Sequence, residues 1–294
     1  MGVSFEDTRL RMVRVLREAG ARPLVQWLWL GEPVETARQL SAAKQRHQLA
    51  RQSCVALLTR GQYQISAVDA PDVPREAWRD AVRWPLRDVL EFSADHAAID
   101  VLEIPRDESR HRSAQLLAVA APREAVLAMA AAAQEVGLDW AAIDVAETAL
   151  RNISALLEPA QRAQALLHFS EHHGTLVITH GGELLMTRQI DVQAALFDSS
   201  DFSQRDAALD RAGLELQRTL DNFERLFSHV SLARLLICPG PGTATLMEHV
   251  RSLMYVPTAA LDLAEALDLS AVPEMQAPEQ QTLWLIALGA ALRE

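Results

Sequence analysis

The sequence predicts an α/β protein built in two halves. Three observations carry this. Short apolar strands alternate with amphipathic helices along the chain. Each half opens with three short strands joined by tight turns, a repeat of plan rather than of residues. The pattern breaks near Glu158-Pro159, and 294 residues suit two domains at roughly 150 residues each.

In the first half, Val3 to Phe5, Leu10 to Leu16 and Val25 to Leu30 are apolar runs separated by the turn-like EDTR and EAGARP. Glu35 to Ala50 reads as a polar, exposed helix. Cys54 to Leu58 and Tyr63 to Val68 flank Arg60-Gly61, a hairpin signal. Pro74 opens a helix with Trp78, Ala81, Val82, Leu86, Val89 and Leu90 at helical spacing. Pro85 falls inside it and should kink or divide it, because an internal proline costs a regular helix ~3 kcal/mol. Ala97 to Ile104 is a strand, Arg106 to Arg112 a charged loop, and Gln115 to Ala120 an apolar strand of a buried sheet. Arg123 to Val136 is a helix closed by Gly137, and Ile143 to Val145 leads into a helix ending at Leu157.

In the second half, Ala165 to Ser170, Gly174 to Thr179 and Glu183 to Ile190 form a meander. Phe197 to Asp206 reads as a polar linker. Ala208 to Phe227 is an amphipathic helix with Leu209, Leu216, Leu220, Phe223 and Phe227 on one side. Leu235 to Cys238 is a strand, and Pro239-Gly240-Pro241-Gly242 turns sharply into a helix from Thr243 to Met254. Glu274 to Gln281 is polar, and Thr282 to Leu292 is an apolar terminal helix. The expected domains are 1–158, with an inserted subdomain at about 60–112, and 159–294, whose last helix is free to pack back on the first.

Composition narrows the function classes. A net charge of −11 opposes binding to nucleic-acid phosphates and to anionic lipid. The uncharged stretches, such as Gln280 to Leu292, fall short of the roughly 20 residues a membrane helix needs. The charged N-terminus is no export signal, and Cys54 and Cys238 form no disulfide framework, so a cytoplasmic location is expected. Lys44 is the only lysine, so no phosphate loop of the GxxxxGK[ST] type exists; the residue is expected in a solvated helix.

Other constellations admit two readings. His168, His172, His173 and His180 cluster, but only Glu171 stands near as a further ligand, so a polar hairpin tip competes with a metal site. Ser-His-Asp hydrolysis lacks a GxSxG elbow, and nothing pairs Asp69, Asp72, Asp95, Asp100 and Glu103 for acid–base work. Trp27 and Trp29 share a strand face, as core or as ligand platform. Arg83-Trp84 offers either a partner-peptide anchor or an inward tryptophan beside an arginine paired to a carboxylate.

Several segments in order resemble one family. They are AVRWPLRDVLEFSADHAAIDVLEIP from Ala81, LLAVAAPREAV from Leu116, AIDVAETALRNISALL from Ala142 and the meander LLHFSEHHGTLVITHGGELLMTRQIDV. ELQRTLDNFERLFSHVSLARLLICPG and the closing LIALGAALRE complete the set, which spans nearly the whole chain. This series is similar to the MshI proteins of MSHA-type pilus biogenesis, relatives of PilM and of the cytoplasmic part of GspL. The resemblance implies an actin-like (ribonuclease H-like) fold of two lobes with duplicated mixed sheets. It also implies a cytoplasmic scaffold beneath the inner membrane, held there by the tail of a single-span protein of the PilN or MshJ type. An assembly motor ATPase is a further partner it implies.

Actin-like ATPases hold phosphate with two hairpins bearing an Asp, an apolar residue and a Gly. By that resemblance Ser4 takes the Asp position and Glu6 the Gly position in the first half, and His168 and Ser170 take them in the second. A glutamate aimed at phosphate repels it, and a side chain in place of glycine blocks backbone approach. The expectation is therefore a pseudo-ATPase without cofactor. The alternative is ATP with Mg held through Thr8, Ser170, Gly240 and Gly242, its nucleotide state gating partner binding. Gly240-Pro241-Gly242-Thr243 is only a partial glycine motif, for which a tight turn capped by Thr243 is the simpler account.

Overall fold

The computed structural model describes residues 1–6, 9–49, 52–105 and 114–293. Thr8 and the charged loop at 106–112 lie outside these. The chain forms two compact units, one of Met1–Arg14, Leu28–Ala146 and Ala290–Glu294, the other of Val15–Trp27 and Glu147–Gly289.

The first five-stranded sheet is made of β1 (Gly2–Glu6), β2 (Arg9–Leu16), β3 (Leu24–Leu30), β4 (Cys54–Leu57) and β8 (Trp140–Asp144). They form a mixed sheet in the order β3-β2-β1-β4-β8, with β1 antiparallel to β2 and β4 parallel to both β1 and β8. A second sheet, β5 (Gln64–Asp69), β7 (Gln115–Pro122) and β6 (Ala97–Ile104), is antiparallel in the order β5-β7-β6. Four buried residues, Cys54 to Leu57, make β4 an interior strand, so both its edges are taken and no β4–β5 hairpin forms at Arg60-Gly61. Position 61 still needs glycine, at φ +90°.

Helix α1 (Thr36–His47) packs on α4 (Arg123–Glu135). Lys44 is not solvated as expected. Its ammonium donates to Val136 O at 2.5 Å and Gly137 O at 3.0 Å, capping carbonyls that α4 leaves unpaired at its end. The helix expected from Pro74 is divided into a 3-10 turn, α2 (Trp78–Ala81) and α3 (Arg83–Leu86). Pro85 has no N–H for the carbonyl of Ala81, yet bonds from Leu86 to Val82 and from Leu90 to Leu86 keep the chain turning helically. Val82 and Leu86 pack with Leu116 and Ala118 of β7.

In the second unit β9 (Ala163–Phe169), β10 (Gly174–His180), β11 (Glu183–Ile190), β12 (Leu232–Ile237) and β13 (Thr258–Ala260) give the order β11-β10-β9-β12-β13, mixed like the first. Helices α5 (Ala146–Leu157), α6 (Phe202–Leu226) and α7 (Thr243–Leu253) follow the chain, and α8 (Pro278–Ala291) ends it. Phe197 to Asp206 is not a linker. Phe197 is fully buried on a 3-10 turn, edge-on to Phe169 at 5.2 Å, and Asp201 caps α6 by accepting from Ser203 and Gln204. The polarity of this stretch serves the cap, Phe197 serves the core, and Phe202 is left exposed. No described helix is long and apolar enough to cross a membrane.

Candidate functional site

The residues singled out above fall at three places. The first is the opening hairpin of each unit. Ser4 lies mid-β1, paired in register with Arg11, and is 2% exposed; its hydroxyl finds no hydrogen-bond partner among the described residues. Glu6 ends β1 opposite Arg9. At the β9–β10 turn, Ser170 N–H donates to His173 O at 2.9 Å and Ser170 Oγ to the same oxygen at 3.0 Å. The His173 N–H in turn approaches Ser170 Oγ at 3.4 Å. The polar groups of Ser170 are thus spent inside its own turn. His168 is buried, and burial, reinforced by His173, pushes its pKa down to about 4, so it is neutral at pH 7. A neutral imidazole brings no negative charge to this strand. No described group of His, Cys, Asp and Glu could hold a metal ion.

The second place is the turn before α7. Gly240 N–H donates to Thr243 Oγ1 at 2.9 Å, and Thr243 N–H to Gly240 O at 3.2 Å. Gly242 has φ +69°, and a Cβ there would lie 2.6 Å from Phe197 Cβ and 2.7 Å from Ala194 O. Packing against the 3-10 turn therefore accounts for this glycine without a ligand. Gly240 is different, since an added Cβ meets only Thr243 Cγ2 at 3.8 Å.

The third place is the helical face over the three-stranded sheet. Here the structure separates the two neighbours that the sequence paired. Arg83 turns inward and donates to Ala94 O at 2.7 Å and Ala97 O at 2.9 Å. Trp84 turns outward and is 74% exposed. The Arg87 guanidinium stands over the Trp84 ring at 5.3 Å and bonds Asp95 at 2.8 Å, which holds that carboxyl below its ordinary range. Arg87 was missed, although its i+3 spacing from Trp84 was visible. Two more of the carboxylates named above find ion pairs: Glu103 with Arg75, and Asp100 with Arg79 at 2.8 Å. Trp27 and Trp29 are half-buried.

No protein-family model and no curated protein matches the chain. Solved structures do. A chain of the PilM–PilN type IV pilus biogenesis complex superposes with TM-score 0.75 at 18% identity, covering 99% of this chain and 97% of that one. A Bacteroides thetaiotaomicron protein of actin-like ATPase fold and unknown function superposes with TM-score 0.53 at 6% identity, with 94% of each chain covered. This chain has an actin-like fold. The cytoplasmic domain of EpsL, an inner-membrane component of the Vibrio cholerae type II secretion system, aligns with TM-score 0.45 at 11% identity over 84% of this chain and 97% of that one. Within the actin-like fold, β1–β2 and β9–β10 are the equivalent opening hairpins of the two sheets, which explains the repeated plan in the sequence.

Proposed function

We propose that this chain is a cytoplasmic scaffold of a type IV, MSHA-like pilus assembly platform at the inner membrane. In this reading it binds the cytoplasmic tail of a single-span protein of the PilN or MshJ kind and does not hydrolyse ATP. One observation carries it: the superposition, over nearly all of both chains, on a chain of the PilM–PilN complex. Three local features support the loss of ATP chemistry. Ser4 and His168 stand where carboxylates would orient a cation, Ser170 closes its own turn, and Gly242 is explained by Phe197. Membrane attachment through a partner also suits a chain of net charge −11. Exposed Trp84 is the anchor this reading offers to a partner.

Two measurements test it. A synthetic cytoplasmic tail of the single-span protein encoded beside this chain's gene is expected to co-purify with it; failure to do so removes the scaffold reading. Thermal-shift titration with Mg-ATP is expected to leave Tm unchanged. A site filled at 100 times its Kd would add about 2.7 kcal/mol, so a saturable rise that Gly240→Trp removes overturns the pseudo-ATPase part.

A further inference from the structure

The face that presents Trp84 has a charge pattern of its own. Leu86 N–H bonds Val82 O at 3.2 Å and Leu90 N–H bonds Leu86 O at 3.0 Å, so the backbone here turns helically. Val82 and Leu86 are fully buried. The opposite stripe is therefore Asp80, Trp84 and Asp88, four residues apart, with Val89 beside it, and all are exposed. The arginines nearby neutralise it only in part. Arg75 is held by Glu103, Arg79 by Asp100, Arg87 by Asp95, and Arg83 by two carbonyls. Asp88 and Glu91 make no ion pair among the described residues, and Asp80 has only Arg83 Nε at 3.7 Å.

A tryptophan 74% exposed, with Arg87 over its ring and an aspartate four residues to either side, is an unusual surface group, and tryptophan is among the side chains most enriched at binding centres. The flanking charges select the occupant. Anionic lipid and nucleic acid are repelled, whereas a segment that sets an apolar residue among Lys or Arg is attracted. Cytoplasmic segments next to a membrane span carry an excess of Lys and Arg. We propose that Asp80, Trp84 and Asp88 form a docking stripe for a basic peptide segment. An apolar residue of that segment seats on the Trp84 indole, and Lys or Arg to either side face the two aspartates. This rests on the scaffold reading above and names the chemistry of the tail it would take.

The test uses the whole chain and two probes: the labelled synthetic tail described above, and a designed peptide of alternating Arg and Leu. Anisotropy gives the affinity of each, and the indole N–H resonance of Trp84, assigned by its loss in Trp84→Phe, gives the place. The expected result is that Trp84→Ala weakens tail binding about 30-fold or more. Asp80→Asn with Asp88→Asn weakens it about fivefold and flattens its salt dependence. Tyr255→Ala, which removes a fully exposed aromatic of the other unit, leaves it unchanged. Circular dichroism verifies that each variant is folded. If the tail binds all variants equally, the docking stripe is wrong and the scaffold reading stands. If the tail does not bind the natural chain, the scaffold reading fails and the Arg-Leu probe decides the stripe. A shift of the Trp84 resonance that the aspartate variants abolish supports it, and an unmoved resonance overturns it.

Discussion

Arg293 donates a guanidinium N–H to the carboxylate of Asp144, 149 residues earlier in the chain. Asp144 ends β8, is 8% exposed, and also accepts from the N–H of Val145 at 3.0 Å. The penultimate residue is thereby fastened to the sheet of the first unit, to which both residues belong. Arg293 is partly exposed, so the pair is discounted from the 3–5 kcal/mol typical of a broken buried ion pair. Arg293→Met is expected to cost about 2 kcal/mol in urea unfolding. Asp144→Asn combined with Arg293→Met is expected to cost less than the sum of the two single changes. Full additivity in that double-mutant cycle would show that the contact contributes nothing.

Gly242 and Gly240 stand two residues apart and make opposite predictions. At 242 a methyl group meets Phe197 Cβ at 2.6 Å and Ala194 O at 2.7 Å, and φ is already +69°. Gly242→Ala is expected to lose about 3 kcal/mol, since the backbone must move or the turn must unwind. At 240 the nearest atom is 3.8 Å away, and Gly240→Ala is expected to stay within about 0.5 kcal/mol. Thermal unfolding of the two variants side by side checks this, and equal losses would show that the turn is not fixed by Phe197.

The fate of particular residues explains what the sequence could reveal. Apolar runs such as Ala165 to Leu167 and Leu176 to Ile178 are buried in adjacent strands, and their alternation with amphipathic helices was legible because burial imposes periodicity. The hairpin at Arg60-Gly61 was misread because a glycine turn does not specify which strands pair. Here β4 is claimed on both edges by strands distant in sequence. Phe197 was hidden among polar neighbours whose polarity comes from the Asp201 cap. At the candidate site, Trp84 was identifiable by type, but its outward direction was not. That depends on Arg83 finding the carbonyls of Ala94 and Ala97, which only the folded chain brings near.

His168 makes stability depend on pH. Its pKa is lowered from 6.5 to about 4, mainly by burial and further by the charge of His173. The unfolded chain therefore binds the proton more readily between those limits. Its contribution is intact above pH 6.5 and is lost as pH falls toward 4, on the order of 3 kcal/mol in all. Replacement by an uncharged side chain, His168→Gln, is expected to flatten the slope of unfolding free energy against pH across that window, whatever it costs at neutral pH. Urea titrations at pH 4.5, 5.5 and 7 measure the slope, and parallel curves for the two proteins would place the proton uptake elsewhere.

Arg83 and Trp84 are adjacent in sequence and serve different ends, so their substitutions should part. The Arg83 guanidinium satisfies two carbonyls near the start of β6, at 2.7 and 2.9 Å, and only a quarter of its side chain is exposed. Arg83→Met keeps the packing of the stem but removes the charged donor from both carbonyls, leaving Ala94 O only the Ala97 N–H. The expected loss is about 2 kcal/mol, the usual penalty when a charged donor to buried acceptors is removed. Arg83→Lys recovers only part of it, because an ammonium on a shorter reach lacks the planar fork that serves both oxygens at once. Trp84→Ala removes a ring held chiefly by Arg87, and its stability change is expected to stay within about 0.5 kcal/mol. Differential scanning calorimetry on the three variants separates the roles. A large loss for Trp84→Ala would mean that the indole supports the fold from the outside, and its exposure could then no longer be read as availability to a partner.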